Sequence, residues 1–118
     1  MIVDDDRTTV KLLQTLLELD GYDVSVAARG ADVIPTAMKT NPDIFLMDYH
    51  LSDVDGVEVL RELRADGAEG MFRKTPIVMT SGLDVEDEVM AAGADAFLVK
   101  PFEPEDLPTL FNRLVASD

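Results

Sequence analysis

The sequence predicts an α/β fold: five short strands alternate with five helices, which specifies one doubly wound parallel sheet. Three observations lead there. The run Ile44-Phe45-Leu46-Met47 is apolar throughout, without the alternation of a half-exposed strand, so it fits a strand buried on both faces. Segments with helical spacing of apolar residues separate it from similar runs on either side. Four of the predicted strands stop on residues able to do polar chemistry: Asp4-Asp5, Asp48, Thr80 and Lys100.

The elements follow in order. Met1-Ile2-Val3 is the first strand, and Asp4-Asp5-Asp6 ends it. Adjacent acids repel one another unless water or a cation screens them. Asp6 is placed to cap the helix over Arg7 to Asp20, with Thr8 and Thr9 nearby. Val10, Leu13, Leu16 and Leu17 give that helix its apolar spacing, Leu12 and Leu19 widen the face, and Gly21 stops it. Tyr22 to Ala27 alternates and predicts a second strand. Ala31 to Thr40 predicts a helix that Pro35 distorts or delays, ended by Asn41-Pro42.

The central strand then runs to Asp48. Ser52, Asp53, Asp55 and Gly56 mark the loop after it. Val57 to Ala65 predicts a helix with Val57, Leu60 and Leu63 inward, and Asp66 to Thr75 a polar loop. Pro76 to Met79 predicts the fourth strand, Asp84 to Ala92 a short acidic helix, and Ala96 to Val99 the fifth strand. The last helix starts at Glu103-Pro104-Glu105 and reaches about Ala116, with a kink or delayed start at Pro108.

Composition narrows the function. The 118 residues fit one domain, residues 1–118. There is no Cys, so neither a disulfide framework nor thiol chemistry is expected. No apolar run suits a membrane span and the start does not read as a signal peptide, so the expected location is the cytoplasm. With 24 acids against 10 Lys and Arg, the net charge is −14. That argues against direct binding to nucleic acid or to anionic membranes.

In a parallel sheet all carboxyl ends share one edge, where open α/β sheets form their ligand crevice. Asp4, Asp5, Asp48, Thr80 and Lys100 therefore converge. Three carboxylates against one ammonium leave excess negative charge, which a hard divalent ion with oxygen ligands relieves; Mg²⁺ suits few carboxylates and several waters. A metal, an ammonium and a hydroxyl together suit a phosphoryl group, and a carboxylate is a competent nucleophile toward phosphorus.

Val3-Asp4-Asp5, Phe45-Leu46-Met47-Asp48, Asp55-Gly56, Met79-Thr80-Ser81 and Phe97-Leu98-Val99-Lys100-Pro101-Phe102 resemble the receiver domain of two-component response regulators, in order along the whole chain. The resemblance implies a flavodoxin-like (βα)5 fold with strand order 2-1-3-4-5. It implies that Asp48 accepts a phosphoryl group from phosphohistidine on a sensor histidine kinase or a histidine phosphotransfer protein. It further implies that Asp5 binds Mg²⁺ directly, Asp4 through water, and His50 through its backbone carbonyl. It implies too that Lys100 pairs with the phosphate, that the Lys100–Pro101 bond is cis, and that Thr80 and Phe97 form a switch pair. Output is expected through the face of helix four, strand five and helix five, toward a downstream partner or a second copy. Ser52 departs from the family, which often has Pro there. Such a domain is a signalling switch, catalysing only its own phosphorylation and dephosphorylation. Two alternatives exist on related folds. An Asp-nucleophile phosphatase needs a second acid where this chain has His50, and a phosphorylation-independent interaction module typically lacks part of the acid, Thr and Lys set.

Overall fold

A computed structural model describes residues 1–116. Five parallel strands form one sheet in the order β2-β1-β3-β4-β5: β1 (Ile2–Val3), β2 (Val26–Ala27), β3 (Phe45–Asp48), β4 (Ile77–Ser81) and β5 (Ala96–Val99). The helices are α1 (Arg7–Leu19), α2 (Val33–Thr40), α3 (Gly56–Arg64), α4 (Glu86–Ala91) and α5 (Leu107–Ala116). The expected strand order and flavodoxin-like fold are observed.

The alternation of β3 separates two cores. Phe45 and Met47 join Val33 and Ala37 of α2, Val57, Leu60 and Leu63 of α3, and Val89 of α4. Ile44 and Leu46 join Leu13 and Leu17 of α1 and Leu107 and Phe111 of α5. The sheet is thus covered on both sides, as parallel sheets require.

Local chemistry sets the helix starts. The Asp6 carboxylate accepts hydrogen bonds from the Thr8 and Thr9 amides, capping α1. Pro35 and Pro108 act alike. Each falls in the first turn of its helix, where no intrahelical partner awaits the missing N–H, and a 3-10 turn precedes each helix, at Gly30–Asp32 and Pro104–Asp106. The outcome is a delayed start. Asn41, at φ 46°, ends α2 in the left-handed conformation that Asn tolerates better than most residues.

Several sequence expectations need correction. The second strand has only two residues; Tyr22 and Val24 pack on the α1–α5 core without joining the ladder. Leu12 and Leu19 do not widen the buried face of α1 and Leu16 does not belong to it; all three are exposed, because the sheet covers one side and they occupy another. The 66–75 segment holds a 3-10 turn at Gly67–Gly70 and a fully buried Phe72, whose ring meets Phe45 edge-on at 5.5 Å. Arg73 in that segment is exposed and pairs with the exposed Asp66.

Candidate functional site

The register builds the site. Val3 pairs with Met47, so Asp4 leaves β1 level with Asp48, while Asp48 itself pairs with Thr80. The Lys100 amide donates to the Ser81 carbonyl, extending β5 alongside β4. One carboxylate oxygen from each of Asp4, Asp5 and Asp48 lies within 4.8 Å of the others. Lys100 Nζ stands 3.1 Å from Asp4 Oδ2 and 3.4 Å from Asp48 Oδ2. Asp4, Asp48, Thr80 and Lys100 line one small void of about 10 Å³.

The environments differ. Asp4 is buried and accepts a hydrogen bond from the Asp6 amide, while Asp5 is exposed. Burial raises the Asp48 pKa and the Asp4 charge adds to that; Lys100 and the His50 amide only partly offset it. Lys100 shows the reverse balance. Burial disfavours its ammonium, but Asp4 and Asp48 outweigh burial and raise its pKa. Hard oxygen donors in negative excess fit a divalent cation such as Mg²⁺.

Thr80 is buried at the end of β4. Phe97 is half-buried and packs on the α2–α3–α4 core. The Lys100–Pro101 peptide bond is cis. The His50 side chain is exposed, against the Tyr49 ring.

Three features had no usable signal in the sequence. Tyr49 donates to Glu88 of α4, and this bond to a carboxylate pushes the Tyr49 pKa up to about 12. Asp53 accepts from the Gly30 and Ala31 amides, which lowers its pKa. Arg64 donates to a cluster of backbone carbonyls. Each joins residues far apart in the chain, and two of them involve main-chain atoms that carry no residue identity.

Residues 1–112 match the family model of the response regulator receiver domain. The chain is 38% identical over 110 residues to the Bacillus subtilis alkaline phosphatase synthesis transcriptional regulatory protein PhoP, covering 91% of this chain and 44% of that protein. It therefore spans about half the length of the curated relatives it matches. A putative response regulator from Chloroflexus aurantiacus superposes with a TM-score of 0.86 at 32% identity, over 98% of this chain and 94% of that one. The receiver domain of a Pseudomonas aeruginosa sensor histidine kinase, solved with magnesium coordinated in its active-site cleft, gives 0.84 at 28%, with 98% and 94% covered. The chain belongs to the receiver domain family of response regulators.

Proposed function

We propose that Asp48 is the phosphoryl acceptor of this receiver domain. The observation that carries the reading is the meeting of Asp48 with Lys100 and two further carboxylates at one sheet edge. An Asp48 carboxylate oxygen attacks the phosphorus of phosphohistidine, the P–N bond breaks, and the imidazole leaves with that electron pair and takes up a proton. Lys100 neutralises charge on the transferred group, and the Thr80 hydroxyl donates to a phosphoryl oxygen. In hydrolysis, water attacks phosphorus, the P–O bond to Asp48 breaks, and the free carboxylate and inorganic phosphate result.

Asp5 and Asp48, with the His50 carbonyl, would hold Mg²⁺ directly, and Asp4 through water. The ion would supply charge neutralisation between the acids and the incoming group.

The donor is a sensor histidine kinase or a histidine phosphotransfer protein, and the site of action the cytoplasm. Among the described residues, no helix is long and apolar enough to cross a membrane. Output passes through α4, β5 and α5 to a downstream partner or a second copy. Exposed Met90 on α4, Val99 on β5 and Val115 on α5 supply apolar surface for it, and Thr80 and Phe97 couple the site to that face. The −14 charge disfavours this domain as a DNA-contacting element.

Two experiments test these claims. Phosphoramidate with Mg²⁺ should add one phosphoryl mass to the wild type and none to Asp48→Asn, and an adduct of equal yield in the variant would overturn the assignment. Beryllofluoride, a phosphoryl mimic, should shift amide resonances of α4 and β5. Shifts confined to the loops around Asp48 would refute the output face.

A further inference from the structure

We propose that Asp53 is a positioning residue for the metal site, acting through the loop that carries the His50 carbonyl. The proposal rests on the reading of the site given above.

The loop from Tyr49 to Asp55 leaves β3 and returns into α3. Its base is closed by two contacts: the Gly56 amide donates to the Tyr49 carbonyl, and His50 bridges to Asp55. These ties fix the ends of the loop and leave its middle free. Asp53 supplies the tie at the tip. Its Oδ1 accepts from the Gly30 amide at 2.8 Å and its Oδ2 from the Ala31 amide at 3.0 Å. Both carboxylate oxygens are thus committed to the backbone of the 3-10 turn before α2. The tip also packs closely there, since a Cβ on Gly30 would stand 2.4 Å from Val54 Cγ2. With base and tip both held, the His50 peptide has little freedom.

A carbonyl ligand held this way gives the cation a site that is already ordered. Releasing the tip leaves the loop held at its base alone, so the His50 peptide is positioned less firmly and binding must order it further. Asp53 would not touch the ion.

Calorimetric Mg²⁺ titration of folded protein tests this. Asp53→Ala is expected to weaken Mg²⁺ binding about tenfold, the lower range for residues that orient metal ligands. Asp53→Asn keeps one acceptor oxygen and should lose less. At saturating Mg²⁺ the phosphoramidate reaction of both variants should recover the wild-type rate, because the acceptor and Lys100 are untouched. A merely structural role for Asp53 would instead lower the melting temperature in EDTA and leave affinity unchanged. Asp5→Asn serves as the control for the site itself. If Asp5→Asn loses Mg²⁺ while both Asp53 variants bind it like wild type, the site stands and the Asp53 proposal is overturned. If Asp5→Asn also binds like wild type, the site reading fails and the Asp53 proposal falls with it. Should Asp53→Ala not fold, Asp53→Asn decides: wild-type affinity there overturns the proposal.

Discussion

Arg64→Ala is expected to lower the unfolding free energy by about 3–4 kcal/mol, a large share of the roughly 5–15 kcal/mol typical of a domain. The Arg64 side chain is only 16% exposed. It donates to the carbonyls of Gly93, Phe72, Arg73 and Thr75 at 2.8, 3.0, 3.1 and 2.6 Å. It also pairs with Asp95 Oδ2 at 2.6 Å, and that same oxygen accepts from the Ile77 amide. One guanidinium thus joins the end of α3, the 72–75 segment, the turn after α4 and the start of β4. Removing it strands several acceptors and one carboxylate. Bonds to charged groups contribute about 1.5–3 kcal/mol each, but they share one donor group and do not add. Asp95 is 39% exposed, so water recovers part of that pair. Arg64→Lys keeps the charge without the planar fork and should lose about half as much. Urea unfolding of the three proteins measures this, and an Arg64→Ala midpoint equal to wild type would refute the hub.

The second large effect concerns the cation. Mg²⁺ bound only by the folded site adds RT ln(1 + [L]/Kd), about 2.7 kcal/mol at a hundredfold excess over Kd. Asp5→Asn removes a repelling charge and a ligand together. Its melting temperature in EDTA should therefore rise, and its response to millimolar Mg²⁺ should vanish. Lys100→Ala removes the ammonium shared by Asp4 and Asp48, so its EDTA melting temperature should fall.

The pH dependence follows from the raised Asp48 pKa. Between the ordinary carboxylate value and the raised one, the folded state binds more protons than the unfolded state. Metal-free stability should then increase as pH falls through the raised value. Protons and Mg²⁺ compete there, so the Mg²⁺ response should shrink over the same window. Lys100, whose pKa is also raised, gives the same sign of slope in a higher window: its contribution holds through neutral pH and is lost only as pH rises through its raised pKa. Thermal melts at fixed ionic strength check these signs, with a matched salt control for screening of the −14 charge. A full Mg²⁺ response in Asp5→Asn would show that Asp5 is not a ligand.

The site was legible because topology converts sequence into proximity. Once Asp4, Asp48, Thr80 and Lys100 are placed at the ends of parallel strands, their convergence needs no further information. The Arg64 hub was not legible, since four of its five partners are backbone carbonyls. Phe72 sits in a segment whose composition reads as polar loop, and only the facing Phe45 ring shows why it is buried. On α1 the spacing of Leu12, Leu16 and Leu19 is helical, but spacing alone does not say which side the sheet covers. The alternation of Tyr22 to Ala27 overstated β2, because an apolar side chain can enter a core without its backbone joining a ladder.

The sheet is laced unevenly. The β3–β4 and β4–β5 pairings each join four residues of either strand, whereas β1 meets β2 and β3 through only two. Asp48, Thr80 and Lys100 are carried by the strongly laced part, and Asp4 and Asp5 follow the thin one. Local opening costs least where the fewest ladder bonds must break. That place is the edge strand β2, held to β1 by two residue pairs, and its opening would expose the flank of β1 and loosen Asp4 and Asp5 while Asp48 stays in place. A cation held by Asp4, Asp5 and Asp48 would act as the clasp between a firm half and a loose one.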